Sequence, residues 1–505
     1  MIDAYLLAFE LVIQPQVALT ILLASVFGLI VGCIPGLSAT MAIALFVPLT
    51  YYMDPIPAVG AIVALSAMAI FSGDIPGCLL RIPGTPASAA YVDDAYQMSQ
   101  KGHAETALGI CLFFSVLGGL FGTIVMMLAA PKIAEFALSF GSVEFFWMAT
   151  LGLIAAAFIG TGQPLKGAIS LIIGLSISLV GMNNPTGLPR FTFGIPDLLS
   201  GISLIPAMVG MFAVSEVLRY MTGSQRQTTV PKVSLGPIFA GMWKLTRQYP
   251  GHVLRGSVLG TIIGIQPGSG ADMAAWMSYA AAKKTSKQPE LFGTGHPEGL
   301  IAAGAANNAS LAGAWIPALV FGIPGDSVTA IAIGVLMMKG MDPGPAIFIN
   351  APQNIYAVFL IFVLANLLML PLGWAMIKAS TRVLATPKNV LMPVILLMAI
   401  VGAYAANNTF FDVIVMLAFG VFAFLMEENG FPIAPILLGI ILGPMIEDNF
   451  VSSMIKSDGN LIGLVDRPIA IVLAIATLAI VAWFVGQGLK DFVRARSPRS
   501  TRGLD

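Results

Sequence analysis

One pattern occurs twice in this chain of 505 residues: an apolar segment with regularly spaced glycines is interrupted by a Pro-Gly pair. The two copies are GLIVGCIPGLS at residues 28–38 and GTIIGIQPGSG at residues 260–270. A second pair of breaks follows them, IPGT at residues 82–85 and IPGD at residues 323–326. Helices that are broken at matching positions of two halves are typical of transporters built from structural repeats.

The composition places these segments in a lipid bilayer. Hydrophobic residues make up 57% of the chain and charged residues 10%, and uncharged apolar stretches of membrane-spanning length follow one another along it. The 25 basic and 25 acidic residues balance, so the chain offers no extended basic surface to nucleic acid. Cys33, Cys78 and Cys111 lie in apolar surroundings without metal-ligand spacing, and we predict no metal site.

Apolar segments and basic stretches together divide the chain into four parts. Residues 1–218 are predicted to form an N-terminal membrane repeat, and residues 256–487 a C-terminal membrane repeat. The linker between them, residues 219–255, carries six basic residues and no acidic residue, and the tail, residues 488–505, is also basic. Because cytoplasmic loops are enriched in Lys and Arg, linker and tail are predicted to be cytoplasmic.

The Pro-Gly pair at residues 267–268 is predicted to form the tip of a re-entrant hairpin. The apolar pieces on either side are only about a dozen residues long, whereas a spanning helix needs about 20. Basic residues flank both pieces, which places both ends on the cytoplasmic side. The flanks of the first copy are acidic, which predicts a hairpin that opens from the opposite face. The predicted fold is an all-α polytopic membrane protein with two inverted structural repeats and re-entrant or broken helices.

Breaks of this kind within a membrane predict a binding site. Proline removes a backbone donor and glycine weakens the helix, and the freed backbone groups cost several kcal/mol each in hydrocarbon. A helix that restarts after a break directs free N–H groups and a partial positive charge into the space there, which suits an anion. We expect the loops 35–38, 83–88, 267–270 and 324–327 to converge near mid-membrane. The alternative is that they only permit kinks and close helix packing.

Hydroxyl and amide side chains beside the breaks are the candidate ligands. Thr85, which is followed by Pro86, is predicted to begin a helix. Asn307-Asn308 is predicted to coordinate substrate or ion, with interhelical hydrogen bonding as the alternative. The predicted substrate-binding residues are Pro35, Gly36, Leu37, Ser38, Thr40, Pro83, Gly84, Thr85, Ser88, Pro267, Gly268, Ser269, Gly270, Asn307, Asn308, Pro324, Gly325, Asp326 and Ser327.

Two carboxylates at the edges of apolar segments, Asp74 and Asp272, are candidates for coupling transport to a cation or a proton. Their alternative role is capping at the membrane interface. Arg81, the cation closest to a break, is predicted either to steer an anionic substrate or to extend its side chain to the interface. The acidic pairs Asp93-Asp94 and Glu427-Glu428 are expected to be boundary charges.

The three histidines argue against an enzyme. An intramembrane serine hydrolase that used Ser38 or Ser269 would need a histidine facing the serine. His103, His252 and His296 all lie in polar loops without a partner at catalytic spacing, and we expect them to be solvated. No catalytic residue is therefore predicted.

Further motifs accompany the breaks. They are Gly32-Cys33-Ile34-Pro35-Gly36-Leu37, Ile82-Pro83-Gly84-Thr85-Pro86, Asp94-Ala95-Tyr96 leading to Lys101-Gly102, Pro289-Glu290-Leu291-Phe292-Gly293-Thr294-Gly295, Glu298-Gly299, Asn307-Asn308 and Gly322-Ile323-Pro324-Gly325. Together they resemble the large permease (TctA-like) subunit of the bacterial tripartite tricarboxylate transporter family. The resemblance spans essentially the whole chain, and the combination is far more specific than any single motif.

The resemblance implies secondary active uptake of di- or tricarboxylates by alternating access across the bacterial inner membrane. It implies two protein partners, a small four-helix membrane subunit and a periplasmic solute-binding protein, and coupling to Na⁺ or H⁺ rather than to ATP. No organic cofactor is expected. The chain departs from the family at Ala303-Gly304, where Pro-Glu is usual, and at Ala95, where glycine is usual. A carboxylate channel is the alternative function.

Overall fold

The computed structural model describes residues 2–35, 37–159, 164–182, 187–222, 238–384 and 388–496. Within these ranges the chain forms helices and no strands. In the first half the helices are α1 (Ile2–Val12), α2 (Pro15–Cys33), α3 (Ala39–Thr50), α4 (Pro55–Ser72), α5 (Asp74–Leu80), α6 (Val92–Gln100), α7 (Ala104–Ala137), α8 (Ser142–Ile159), α9 (Pro164–Ser178), α10 (Leu204–Val209) and α11 (Ser215–Thr222). In the second half they are α12 (Met242–Gln248), α13 (Pro250–Ile265), α14 (Gly270–Thr285), α15 (Pro297–Phe321), α16 (Ser327–Met338), α17 (Ile347–Asn350), α18 (Pro352–Leu384), α19 (Lys388–Asn407), α20 (Phe410–Glu428), α21 (Ala434–Lys456) and α22 (Pro468–Arg496).

The protein is a multi-pass membrane protein. Eight helical segments of the described chain are long and apolar enough to cross a bilayer. They are Pro15–Cys33, Pro55–Leu80, Ala104–Ala137, Leu204–Thr222, Pro352–Leu384, Asn389–Asn407, Phe410–Glu428 and Ala434–Lys456. The central helix α15 is not among them, yet its residues from Glu298 to Val320 are all buried.

The Pro-Gly pairs break the helices where the sequence predicts. The break between α2 and α3 follows Cys33, and Ser38 closes it by accepting a hydrogen bond from the backbone N–H of Met41, at 3.1 Å. The break between α13 and α14 follows Ile265. In this second hairpin the side chain of Arg255 donates to Thr285, so the open ends of the two arms lie together.

The prediction that Thr85-Pro86 begins a helix is confirmed for the hydroxyl cap, but no α-helix follows it directly. After α5 ends at Leu80, the chain forms only a single 3₁₀ turn at Ser88–Ala90 before α6 begins at Val92. Thr85 and Ser88 each accept a hydrogen bond from the other's backbone N–H, at 3.2 Å. These reciprocal bonds form a capping box, in which Thr85 caps the turn that continues into the short 3₁₀ turn at Ser88–Ala90.

Glycines set the packing of α2 against α4 and of α13 against α15. A Cβ atom at Gly260 would lie 2.7 Å from the Cα of Ala306, and one at Gly264 would lie 2.8 Å from the Cα of Ser310. Residue numbers rise together along the two helices, so α13 and α15 run parallel. The corresponding contacts in the first half are Gly28 with Leu65 and Gly32 with Ala69. Because α2 is parallel to α4, the chain must reverse direction in between, and α3 is the arm that returns. In the second half α14 returns in the same way between α13 and α15.

The two longest helices, α7 and α18, each pack against a helix of the other half. From the first half, α7 packs parallel to α15, with Gly118 against Ala305 and Gly122 against Ala309. From the second half, α18 packs parallel to α4, and α7 and α18 are antiparallel to each other. The contacts that set these directions are Gly60 with Ile361, Phe71 with Gly373, Gly119 with Asn366 and Leu112 with Gly373. Helices α2, α4 and α18 therefore run one way and α7, α13 and α15 run the other way.

The predicted domain boundaries fall partly within helices. Within the predicted linker 219–255, α12 and the first turns of α13 are helical, and residues 223–237 lie outside the described residues. Helix α22 continues to Arg496, into the predicted tail. The division into repeats, linker and tail stays a prediction.

Gly260→Ala is expected to lower the free energy of unfolding by about 1–3 kcal/mol, because the added methyl group would meet backbone atoms of α15 that cannot move aside. Thermal unfolding in detergent measures the change. Gly251→Ala is the matched control, since it lies in the same helix with no atom within 4 Å of its Cβ position. Equal melting temperatures for the two variants would contradict close packing of α13 on α15.

Candidate functional site

The broken segments meet at one cavity of about 310 Å³. Its wall contains residues 38–40 from the first break, 85–87 from the second, 268–273 from the third and 326–328 from the fourth. Residues at and just before the start of α21 also line it, namely Pro432, Ala434, Pro435 and Leu438. The geometry therefore joins segments from both halves of the chain around one space.

About half of the predicted site residues line this cavity. Those in the wall are Ser38, Thr40, Thr85, Gly268, Ser269, Gly270, Asp272, Asn307, Asp326 and Ser327. Those outside it are Pro35, Leu37, Asp74, Pro83, Gly84, Ser88, Pro267, Asn308, Pro324 and Gly325, and Gly36 lies outside the described residues. Binding of substrate by the lining residues stays a prediction.

Four helices begin at the cavity, and their first turns differ in charge. Helix α14 carries Asp272 in its first turn. Helix α16 is capped by Asp326, whose Oδ1 accepts from the backbone N–H of Thr329 at 2.8 Å and from its hydroxyl at 2.7 Å. Helices α3 and α21 have no acidic residue in their first turns. The partial positive charge of the helix N-terminus is therefore offset by carboxylates at α14 and α16 but not at α3 and α21.

No Lys, Arg or His side chain is found among the described residues of the cavity wall. Arg81, which the sequence offered as a possible partner for an anion, pairs instead with Asp93 at 2.7 Å on the surface. The wall thus combines two carboxylates, two uncompensated helix N-termini and several hydroxyl groups. Thr40 and Ser327 bring their hydroxyl oxygens to 2.9 Å from each other across the two halves.

Glycines of the breaks make close backbone contacts next to the cavity. The N–H of Gly84 donates to the carbonyl of Gly73 at 3.0 Å, and the N–H of Gly268 donates to that of Gly325 at 2.7 Å. A Cβ at Gly84 would lie 3.1 Å from the carbonyl oxygen of Gly32, and one at Gly325 would lie 2.6 Å from that of Gly264. Gly84 therefore packs against the end of α2 and Gly325 against the end of α13, and there is no room for a larger residue at either position.

A buried chain of hydrogen bonds connects Asp74 to the cavity. The hydroxyl of Tyr91 donates to Asp74 Oδ1 at 2.5 Å, and the Nδ2 of Asn307 donates to that hydroxyl at 3.3 Å. Tyr91 was not among the residues predicted from the sequence. The available signal was its position after an Ala-Ala pair and close to the second break. The neighbouring Asn308 instead donates to the carbonyl of Ala67 at 3.4 Å, which matches the packing alternative.

Asp94 fastens the first half to the second half, so its interpretation as a boundary charge is wrong. Its Oδ1 accepts from the backbone N–H groups of Gly293 at 2.8 Å, Gly295 at 2.7 Å and His296 at 3.0 Å. Its Oδ2 accepts from the hydroxyl of Tyr279 at 2.7 Å. We call Asp94 and these four donors the Asp94 clamp. It holds the loop that leads into α15.

Two of the three histidines are also placed differently from the prediction. His252 and His296 each bring Nε2 to 3.7 Å from a carboxylate oxygen of Glu298, with 13% and 12% of their side chains exposed. They are therefore packed against helix ends rather than solvated, whereas His103 is exposed. The described wall of the cavity, which contains Ser38 and Ser269, holds no histidine.

A larger crevice of about 700 Å³ lies at the opposite ends of α3 and α16. Tyr51, Met337, Asn407 and Asp412 are among the residues that line it. None of the predicted site residues does, so the smaller cavity is the better candidate for the site.

Comparison with known proteins gives one consistent family. The model of the tripartite tricarboxylate transporter TctA family matches residues 18–438. A protein of Agrobacterium vitis, described as an uncharacterized 52.8 kDa protein in the TAR-I ttuC' 3' region, is 34% identical over 479 residues, which cover 94% of each chain. Another, from the TAR-II ttuC' 3' region of that organism, is 34% identical over 211 residues, or 42% of this chain and 87% of its own length. No solved structure matches the chain significantly.

Proposed function

Because this chain belongs to the tripartite tricarboxylate transporter TctA family, we propose that it is the permease subunit through which di- or tricarboxylates are taken up by cation-coupled alternating access. The observation that carries the proposal is the convergence of four broken segments, two from each half, on one cavity. Its volume of about 310 Å³ falls at the lower end of the range for small-molecule sites.

The directions of the helices support two inverted repeats. In the order of the chain, α2 corresponds to α13, α4 to α15 and α7 to α18, and the members of each pair run in opposite directions. Repeats of opposite direction with a site at their interface can expose that site to either side of the membrane in turn. The contact between Thr40 and Ser327 lies on this interface.

We place the carboxylate groups of the substrate at the starts of α3 and α21. Neither helix has an acidic residue in its first turn, so the partial positive charge of each N-terminus is not offset there. The hydroxyls of Ser38, Thr40 and Thr85 add hydrogen-bond donors in the same part of the wall. An anion is therefore bound without a basic side chain.

The remaining parts of the proposal follow from the family. A small four-helix membrane subunit and a periplasmic solute-binding protein are proposed as partners, in the inner membrane of a bacterium, with Na⁺ or H⁺ as the coupling ion. The alternative, a carboxylate channel, would conduct without an imposed ion gradient. The test is uptake of labelled di- and tricarboxylates by vesicles that contain the chain and both partners, with Na⁺ and H⁺ gradients imposed separately. Flux that follows neither gradient would contradict coupling.

Thr40→Val is expected to raise the KM for uptake about tenfold with little change in maximal rate, since a hydrogen bond to a charged ligand contributes about 1.5 kcal/mol or more. Initial rates of uptake at varied substrate concentration measure it. Thr20→Val is the matched control, because its hydroxyl is exposed and bonds only to the carbonyl of Gln16 in its own helix. If both variants have the KM of the unmodified chain, substrate does not contact Thr40.

A further inference from the structure

We propose that the open end of the second hairpin binds an anionic phospholipid. Basic side chains of α12 and of the last turn of α14 hold the phosphate of its headgroup, and its acyl chains lie along α13. We call this region the lipid surface, and its residues are Trp243, Lys244, Arg247, Leu254, Lys283 and Lys284. They lie outside the cavity and the larger crevice described above.

Helix α12 packs on the protein with one face and leaves its other face exposed. Met242 and the preceding Ile238 belong to the buried core, with 2% and 1% of their surfaces exposed, and α12 contacts α7 and α13. Trp243 is 61% exposed, and Lys244 and Arg247 are exposed beside it. The guanidinium group of Arg247 lies 5.4 Å from the centre of the Trp243 ring, so the aromatic and the basic group share one face.

An exposed apolar stripe on α13 fixes the level of α12 in the bilayer. Leu254, Val258 and Ile262 are spaced four residues apart, so they lie on one side of the helix, and 57%, 36% and 52% of their surfaces are exposed. In a membrane such a stripe contacts acyl chains. Because α12 directly precedes α13 in the chain, Trp243 lies just beyond the stripe. Indole rings and the ends of basic side chains meet lipid headgroups at this level.

The last turn of α14 brings more positive charge to the same end of the hairpin. It contains Lys283 and Lys284, and the hydrogen bond donated by Arg255 holds this turn beside the first turns of α13. The next acidic residue along the chain, Glu290, is preceded by Lys287, so it does not neutralise the cluster. Within the described residues, none of the four lysine and arginine side chains of the lipid surface forms an ion pair. Clusters of about four or more basic residues at the end of a membrane helix attract anionic headgroups.

The open end of the first hairpin offers a comparison. Tyr51 and Tyr52, just after α3, are 39% and 72% exposed. Among the described residues the ammonium group beside them is that of Lys339, which donates to the carbonyl of Tyr51 at 2.7 Å. Aromatic residues are common at both faces of a membrane protein, so the group of uncommitted cations is what distinguishes the second hairpin. The sequence predicts this end to be cytoplasmic, where the leaflet is rich in anionic lipid.

The test is thermal unfolding of the full-length chain in detergent as phosphatidylglycerol is added, at constant pH and ionic strength. Phosphatidylcholine, which is zwitterionic, is added in a parallel series. We expect a saturable rise of the melting temperature that is larger with phosphatidylglycerol. Lys244→Gln combined with Arg247→Gln is expected to raise the half-saturating concentration about thirtyfold, since each basic residue near a charged lipid surface contributes about fivefold. Lys283→Gln combined with Lys284→Gln is a second variant that leaves α12 unchanged, with the same direction of effect.

The matched control removes two cations at the opposite membrane face, by Lys339→Gln combined with Lys456→Gln. The ammonium group of Lys339 donates to the carbonyl of Tyr51 at 2.7 Å, and that of Lys456 donates to the hydroxyl of Ser142 at 2.8 Å. This variant loses the same number of charges, and its half-saturating concentration of phosphatidylglycerol should equal that of the unmodified chain.

The inference is overturned if phosphatidylglycerol raises the melting temperature no more than phosphatidylcholine does, or if both site variants respond to it as the control does. Glycerol 3-phosphate, which has a phosphate but no acyl chain, is the third addition. An equal rise with it would mean that a soluble anion binds rather than a lipid, which also overturns the inference. The measurement needs no carboxylate, ion gradient or partner subunit, so its outcome is independent of the proposed transport function.

Discussion

Asp94→Ala is expected to destabilise the protein by about 3–5 kcal/mol. The substitution leaves the backbone N–H groups of Gly293, Gly295 and His296 and the hydroxyl of Tyr279 without their acceptor. Asp94 itself is completely buried. Its four donors are only partly exposed, so solvent replaces the lost acceptor incompletely and much of the cost of desolvation remains. The melting temperature in detergent and the yield of folded protein measure the effect.

Asp93→Ala is the matched control for the Asp94 clamp. Asp93 is the preceding residue, yet its carboxylate pairs with Arg81 on the surface, with 55% of its side chain exposed. Exposed ion pairs contribute about 0–1 kcal/mol, so this variant should melt close to the unmodified chain. Asp94→Asn retains Oδ1 as an acceptor for the loop and should lose less stability than Asp94→Ala. If Asp94→Ala melts like Asp93→Ala, the clamp does not hold the two halves together.

The hairpins could be predicted from the sequence because their causes are local. The sequence predicts two short apolar pieces separated at Pro267-Gly268, and the helices end at Ile265 and begin again at Gly270. Proline, glycine and a change in hydropathy determine such breaks within a few residues. The hydroxyl cap at Thr85 was predicted for the same local reason, whereas the early end of the turn after it, at Ala90, was not.

The Asp94 clamp could not be predicted in this way. Its acceptor and its loop donors are about two hundred positions apart in the chain, and Asp94 has the same immediate surroundings in sequence as the exposed Asp93. The start of α21 is a similar case. Pro432, two residues before this helix, reaches the cavity only in the folded chain. Long-range pairing of this kind depends on topology, which one sequence does not specify.

The charge of the site was predicted in part. The sequence predicts helix N-termini that face an anion, and α3 and α21 offer such ends. At α14 and α16, however, carboxylates occupy the first turn or the cap, so those ends cannot attract an anion as well. The sequence shows that Asp272 and Asp326 are acidic, but it does not show that both of them line the same cavity. Only the folded chain shows that helix starts with and without carboxylates surround the same cavity.

Gly84→Ala is expected to reduce uptake at least tenfold while the protein still inserts in the membrane. A Cβ at Gly84 would lie 2.7 Å from the Cα of Gly73 and 2.8 Å from its carbonyl oxygen. Both are backbone atoms, so the loop itself has to move, and overpacking of this kind costs about 1–3 kcal/mol. The next residue, Thr85, lines the cavity and would be displaced with the loop. Uptake per folded protein, with expression measured in parallel, reports the effect.

Gly304→Ala separates this close approach from a general sensitivity to the loss of glycine. Gly304 is buried in α15, yet the atom nearest to its Cβ position is 3.9 Å away, so a methyl group fits. Alanine also favours a helix by about 1 kcal/mol over glycine, and uptake by this variant should stay within about twofold of normal. If Gly84→Ala transports as well as Gly304→Ala, the second break tolerates displacement. The shape of the cavity would then not depend on the contact between Gly84 and Gly73, and the hydroxyl of Thr85 would have no fixed place in binding.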